Sequence, residues 1–157
     1  MILRIRKQGD PVLRMRSVPL KKITKEISTL VKNMLETMYE VDGIGLAANQ
    51  VGLPLRLVVV DIGEGPIVLF NPCITEHDNE ETVGREGCLS IPGLTGEVKR
   101  WEEIVVHGMA ENGLGCERLE ARGLLARVLQ HEIDHLNGIL FIDKAKDIRK
   151  EQVEAEV

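Results

Sequence analysis

Apolar side chains recur every three or four residues in one segment near the N-terminus, which is the spacing of an amphipathic helix. The segment begins after Thr24, a residue type favoured at helix N-caps, and ends near Tyr39. Its apolar positions are Ile27, Leu30, Val31, Met34, Leu35 and Met38. The pattern predicts a helix that packs one face on a core. The twenty or so residues before it contain the turn Gly9–Pro11 and predict an extended arm.

Shorter apolar runs bounded by turn residues predict β-strands. Leu55–Val60 and Ile67–Phe70 flank the turn Gly63–Pro66 and are expected to pair as a hairpin, the second strand ending at Asn71 and Pro72. The glycine-rich stretch Gly84–Gly93 is expected to lie between strands. Further antiparallel strands are predicted over residues 97–100, 104–109 and 117–121. A turn at 111–113 is expected to join the last two of them as a hairpin.

A second helix is predicted from Gly123 to Asn137, with Gly138 as the residue that ends it. Its apolar residues cover most of the circumference, so we expect it to be buried between sheets. They are Leu124, Leu125, Val128, Leu129, Ile133 and Leu136. The charged segment from Lys144 to the end is predicted to form a short surface helix.

The second helix carries the motif HExxH, from His131 to His135. Residues four apart lie on one helix face with Cβ atoms about 6 Å apart, so His131 and His135 can bind one metal ion. Glu132 lies beside the open coordination position, where it can accept a proton from water. Buried polar side chains cost free energy unless they are paired or bind metal. A metal therefore explains why a buried helix carries them.

The third ligand is expected upstream of the helix. Phe141 occupies the position of the third metzincin histidine, which excludes that class of peptidase. A glutamate ligand on a later helix would have to come from the charged tail (Glu151, Glu154, Glu156) and is a weak alternative. Cys88 is the best candidate, because a thiolate binds Zn(II) or Fe(II) strongly, although a buried thiol without metal is equally plausible for Cys88 alone. Ordinary packing or exposure is expected for Cys73, Cys116, His77 and His107.

Length, charge and cysteine content narrow the kind of protein that could carry such a site. The chain has 157 residues, 43% of them hydrophobic, which predicts a single domain, 1–157, whose core needs no disulfide or structural metal. A net charge of -5 without blocks of like charge gives no footprint for nucleic acid and no membrane anchor. Three cysteines without paired spacing favour a reducing compartment. With a charged N-terminus that lacks a signal peptide, these features predict a cytoplasmic protein.

Three stretches, Gly43–Gln50, Glu86–Ser90 and Gln130–His135, stand in an order and spacing that resemble the peptide deformylase family. The resemblance covers nearly the whole chain and extends to Gly9–Arg14 and Ile91–Gly93. It implies an α+β fold with antiparallel β-sheets around the central HExxH helix, to which the patterns above add an N-terminal and a short C-terminal helix.

The resemblance also implies an activity, which is removal of the formyl group from the N-terminal formyl-methionine of newly synthesised polypeptides, releasing formate. Cys88, His131 and His135 are the implied ligands of one Fe(II) per chain, which Zn(II), Ni(II) or Co(II) can replace. N-formylmethionyl nascent peptides are the implied partners. Family members with a longer C-terminal helix use it on the ribosome near the exit tunnel, and whether the tail from Lys144 does so is left open.

Residue roles follow from the same comparison and from general chemistry. We expect Glu132 to accept and return the proton, and Gln50 and the backbone N–H of Leu89 to bind the oxyanion beside the metal. Taken alone, Gln50 would more simply be a surface amide at the end of a loop.

The methionine side chain needs an apolar slot beside the metal. Leu124 and Val128 share the helical face of His131 and are expected to line it, with Gly43 and Glu86 from the loops. The peptide is expected to add as a strand against the backbone around Ile44, Gly45 and Gly87. Arg127 replaces the apolar residue that some members carry, so it would extend to solvent, pair with Glu86 or narrow the slot.

Two other functions use the same motif. An HExxH peptidase would cut internal peptide bonds and would digest an unformylated peptide. A structural metal module would close its site with a fourth protein ligand, such as another cysteine or histidine.

Overall fold

In the computed structural model, which describes residues 1–151, the first predicted helix forms as α1, Lys25–Glu40. The Thr24 hydroxyl accepts a hydrogen bond from the backbone N–H of Ile27 at 3.3 Å and so caps the first turn. The buried side chains of Met34 and Met38 pack against the larger of two sheets. The amphipathic spacing therefore predicted both the ends and the buried face of this helix.

The N-terminal arm is extended, as predicted, apart from one short 3-10 turn at Pro11–Arg14. Two backbone hydrogen bonds attach it to the stretches around Gln50 and Ser90. The N–H of Arg6 donates to the carbonyl of Gln50 at 2.7 Å, and the N–H of Gln8 donates to the carbonyl of Ser90 at 2.8 Å. The arm thus ties together two separate stretches of the chain.

The strands form two antiparallel sheets. In chain order they are β1 (Gly45–Ala47), β2 (Leu57–Val60), β3 (Ile67–His77), β4 (Glu81–Cys88), β5 (Ile91–Trp101), β6 (Glu103–Met109), β7 (Cys116–Arg122) and β8 (Lys146–Lys150). The larger sheet has the order β1-β2-β3-β6-β7, and the smaller one has the order β4-β5-β8. Strands β1 and β4 are therefore edge strands, one in each sheet.

The second predicted strand does not end at Asn71 and Pro72, and that prediction is wrong. Strand β3 continues to His77, with a shift in register between Phe70 and Cys73 that marks a bulge. Asn71 has a φ of 51°, and its side-chain amide exchanges two hydrogen bonds of 2.8 Å with the backbone of Leu20. A local bulge thus accommodates residues that usually stop a strand.

The placement of Gly84–Gly93 between strands is also wrong. Residues 84–88 lie in β4 and residues 91–93 in β5, so only Leu89 and Ser90 form the turn between them. The glycine-rich stretch Gly43–Gln50 likewise contains a strand, β1, that its composition did not predict. Glycines weaken strands unless another group must approach the backbone closely, and here such groups do.

The prediction of a C-terminal surface helix is wrong as well, since residues 146–150 form strand β8. This strand pairs with β5, and the guanidinium of Arg85 donates to the Asp147 carboxylate at 2.8 Å. Pairing with a neighbouring strand and a salt bridge outweigh the weak helical preference of a charged segment. The remainder of the predicted helix, 152–157, lies outside the described residues.

Helix α2, Gly123–Leu136, packs against both sheets through β1, β2, β5, β6 and β7. It ends as predicted, because Gly138 has a φ of 73° and a Cβ there would lie 2.6 Å from the carbonyl oxygen of Arg14. The central helix is therefore held by the N-terminal arm as well as by the sheets. No helix within residues 1–151 has the length and apolar character needed to cross a membrane.

Candidate metal centre

Cys88, His131 and His135 come together at the meeting point of β4 and α2. Their ligand atoms lie within 4.8 Å of one another, and all three residues are buried. The Cys88 Sγ is 3.4 Å from Nε2 of His135. Cys88 lies two residues after Glu86 on β4, so both side chains fall on the strand face that meets α2. Within residues 1–151 this is the one group of three or more such side chains close enough to hold a metal.

The Glu86 carboxylate orients the first histidine. Its Oε1 lies 2.8 Å from Nδ1 of His131, which leaves Nε2 for a metal. The Nε2 atom has no hydrogen-bond partner in the described part of the chain. A carboxylate that fixes one imidazole nitrogen while the other binds metal is the usual support of a metal-bound histidine. The side chain of Glu86 therefore serves His131, and its contact with a substrate stays a prediction.

Arg100 holds that carboxylate in turn, and the sequence reasoning missed it. Its Nε and Nη2 donate to the two oxygens of Glu86, each at 2.9 Å, and its Nη1 donates to Asp134 at 2.7 Å. Arg100 is 4% exposed. A signal was available, because Val98 and Arg100 alternate with polar residues along β5 and so fall on its buried face. A buried arginine requires carboxylate partners.

Glu132 lies against the edge strand β1. Both of its carboxylate oxygens are buried and have no hydrogen-bond partner among residues 1–151. A Cβ at Gly45 would lie 2.5 Å from Oε2 of Glu132 and 3.0 Å from its Cδ. The absence of a side chain at Gly45 is thus what lets the strand approach the carboxylate.

Gln50 is fully buried, which excludes the surface amide that was its simplest interpretation. Its Oε1 accepts a hydrogen bond from the Ala47 backbone N–H at 2.9 Å, which fixes the amide. Its Nε2 then lies 3.1 Å from the Ser90 hydroxyl and 3.6 Å from the Cys88 sulfur. Ser90 was missed as a contributor, although it belongs to the Glu86–Ser90 stretch.

The electrostatics of the cluster favour a cation. Burial alone lowers the pKa of His131, but its interactions with the Cys88 thiol and the Glu86 carboxylate outweigh burial and raise it to about 10. Burial lowers the pKa of His135, which keeps that imidazole neutral. Burial also raises the pKa of Glu132 to about 7. Cys88 and Glu86 thus favour a positive charge at His131, whether a proton or a metal ion. One thiol and two imidazoles are a donor set that suits Zn(II) or Fe(II).

The residues predicted to bind substrate are spread around this cluster. Val128 is buried, and Ile44 packs against the same core. Leu124 is 53% exposed. Gly43 lies just after α1, where its N–H donates to the carbonyl of Met38, and Gly87 pairs with Thr95 inside the smaller sheet. Of the three placements considered for Arg127, the structure has the pairing with Glu86, at 2.7 Å.

The remaining cysteines and histidines lie outside the cluster. Cys73 and Cys116 are exposed. His77 stacks on Trp101 with a centroid distance of 3.7 Å, and His107 contacts the Thr75 hydroxyl at 2.7 Å. Across residues 1–151, the group of candidate metal ligands has three members and includes no fourth cysteine, histidine, aspartate or glutamate.

A thiol and two imidazoles around one point, with a buried carboxylate next to them, are the groups of a metal-dependent hydrolase. The sequence profile described as polypeptide deformylase matches residues 2–151. Peptide deformylase from Halothermothrix orenii is 51% identical over 97% of this chain and 99% of its own length.

Solved structures agree with this match. Peptide deformylase from Thermotoga maritima superposes with a TM-score of 0.90 at 45% identity, covering 93% of this chain and 99% of that one. The enzyme from Synechococcus elongatus, solved in complex with actinonin, gives a TM-score of 0.88 at 46% identity, covering 92% and 79%. The chain belongs to the peptide deformylase family, metal-dependent enzymes that hydrolyse the N-formyl amide of newly made polypeptides. The α+β fold and the activity that the resemblance implied are thereby confirmed.

Proposed function

We propose that Cys88, His131 and His135 hold one Fe(II) ion, for which Zn(II), Ni(II) or Co(II) can substitute. The observation that carries this proposal is the close grouping of the three ligand atoms, within 4.8 Å of one another, on three buried residues. A bound ion would supply Lewis-acid chemistry, making water a stronger acid and polarising the formyl carbonyl. Thiolate and imidazole donors suit Fe(II) and Zn(II) alike, so metal supply decides between them.

Glu132 is the proposed general base. It accepts a proton from the attacking water as the C–O bond to the formyl carbon forms, and it returns a proton to the amide nitrogen as the C–N bond breaks. The products are formate and a free N-terminal amine, which balances the hydrolysis. The raised pKa of its buried carboxyl, about 7, matches a group that must both take and give a proton near neutral pH.

Gln50 and Leu89 are the proposed donors to the oxyanion of the tetrahedral intermediate. The Gln50 amide is held by the Ala47 N–H, and its Nε2 lies beside Cys88 and Ser90, which supports a donor role next to the proposed metal ligand. The backbone N–H of Leu89 follows Cys88 directly in the turn between β4 and β5. Donors fixed beforehand stabilise the developing charge without a reorganisation cost.

The substrate is proposed to lie between the two edge strands. Among the strands of residues 1–151, β1 and β4 each have a side without a neighbouring strand, which supports the addition of an extended peptide near Ile44, Gly45 and Gly87. Backbone pairing would bind peptides regardless of their later side chains. The methionine side chain is proposed to enter a slot formed by Gly43, Glu86, Leu124, Arg127 and Val128.

The cellular location and the partners are proposed from the composition of the chain. A single domain spanning 1–157 would act in the cytoplasm on N-formylmethionyl nascent peptides, near the ribosomal exit tunnel. A net charge of -5 without a basic cluster argues against sequence-specific nucleic acid binding and against a polybasic membrane anchor.

The test combines metal analysis with product analysis. Protein purified without oxygen should contain about one iron per chain and should release formate from a formyl-Met peptide. The matched unformylated peptide should remain intact, because an HExxH peptidase would cleave it. Metal-replete protein that releases no formate would refute the proposal.

A further inference from the structure

Arg127 occupies an unusual place beside the metal centre. Its side chain is 13% exposed and reaches across from α2 to both strands of the β4-β5 hairpin. Nη1 donates to Oε2 of Glu86 at 2.7 Å and to the carbonyl of Val98 at 2.9 Å, and Nη2 donates to the carbonyl of Thr82 at 2.8 Å. One guanidinium thus joins the helix that carries both histidines to the strand that carries Cys88.

Gly84 provides the space that the guanidinium fills. A Cβ at that position would lie 2.8 Å from both Cζ and Nε of Arg127, closer than real Cβ contacts allow. The guanidinium therefore lies directly over the α-carbon of Gly84. Any side chain at residue 84 would push it away, so the two residues form a matched pair.

Arg127 and His131 are four residues apart on α2, and both bind the same carboxylate. Arg127 binds Oε2 of Glu86, while His131 binds Oε1 at 2.8 Å. Glu86 therefore bridges two successive turns of one helix face. Arg100 also binds Glu86, but it comes from β5 and is shared with Asp134 at 2.7 Å. Asp134 lies on α2, so Arg100 links Glu86 to the helix indirectly, whereas Arg127 donates to the carboxylate from the helix itself.

We infer that Arg127, held over Gly84, is a positioning residue for the metal centre. It fixes the Glu86 carboxylate, which fixes the His131 ring, and it docks the Cys88 strand against α2. The inference rests on the proposed metal site. Loss of outer groups that orient metal ligands usually weakens metal binding by about 10-fold to 100-fold.

A double-mutant cycle tests the pair. Arg127→Met, Gly84→Ala and the double variant are loaded with Zn(II), and the rate of zinc loss to a chromogenic chelator is measured. Arg127→Met should lose zinc about 10-fold faster. Gly84→Ala should also lose it faster, because its methyl group displaces the guanidinium. The double variant should match Arg127→Met alone, since no guanidinium remains to be displaced.

Two further variants separate positioning from general stability. Arg127→Lys restores the charge near Glu86 but cannot reach both carbonyls, so its zinc loss should be intermediate. Arg122→Met, which changes a 78% exposed arginine beside the start of α2, should behave as the parent. The visible absorption of the Co(II)-loaded protein should shift in Arg127→Met and stay unchanged in Arg122→Met, because it reports the geometry around the ion.

The outcomes distinguish this inference from the proposed function. A parent protein that holds no zinc would overturn the metal site itself. A parent that holds zinc, with Arg127→Met and Gly84→Ala releasing it at the parental rate, would overturn only the positioning role. Effects that multiply in the double variant would overturn the pairing with Gly84. Should Arg127→Met fail to fold, Arg127→Lys against the parent decides the question by the same rates.

Discussion

Gly45→Ala is expected to lower kcat by about 100-fold while the metal stays bound. The added methyl carbon would lie 2.5 Å from Oε2 of Glu132, whereas ordinary contact begins near 3.4 Å. The carboxylate must therefore move by about 1 Å, and a misplacement of that size costs about 100-fold in rate. Neither oxygen of Glu132 is held by a hydrogen bond within residues 1–151, so it can move without unfolding the helix.

The assay is steady-state formate release from a formyl-Met peptide, with the metal content and the melting temperature of each variant measured in parallel. Glu132→Ala and the double variant complete the comparison. If the methyl group acts by displacing Glu132, adding Gly45→Ala to Glu132→Ala should change kcat little. A Gly45→Ala variant with parental kcat, or a double variant in which the two losses multiply, would show that the close approach to Glu132 is irrelevant to turnover.

Three other substitutions test the remaining roles. Glu132→Ala should retain the metal and lose about 100-fold to 10,000-fold in kcat, and full activity with metal bound would remove it as the general base. Gln50→Ala should lower kcat by about 100-fold or more with little change in KM, and a change in KM alone would assign it to substrate binding instead. Cys88→Ala should fail to retain one metal per chain after dialysis, as measured by elemental analysis, and normal retention would exclude the thiol as a ligand.

Much of the fold could be predicted from local pattern. Helix α1, helix α2 and its glycine end follow from apolar spacing and from residue types that favour helix ends. The errors fall where tertiary contacts override local preference. Strand β3 passes through Asn71 because a bulge absorbs it, and β8 forms because β5 offers an edge to pair with. Neither the bulge at Asn71 nor the pairing of β8 with β5 can be predicted from the neighbouring residues alone.

The candidate metal ligands could be predicted from the sequence, whereas the residues that position them could not. HExxH and the cysteine of the Glu86–Ser90 stretch named the three residues that the structure brings together. Arg100 was not found, although its alternation with Val98 was a signal, because its partners Glu86 and Asp134 come from distant parts of the chain. The same holds for Gly45, whose role depends on a side chain 87 positions away in sequence.

Two glycines allow the edge strands to approach the central helix closely. Gly45 of β1 meets the Glu132 side chain, and Gly84 of β4 meets that of Arg127. Glu132 and Arg127 project from α2 toward different sheets, so the helix sets the distance of both edges from the proposed metal ligands. On the proposed mode of binding, a peptide that adds a strand at either edge would be placed relative to the proposed metal site by the packing of both edges against α2. This explains why glycine is required at strand positions that would otherwise favour β-branched residues.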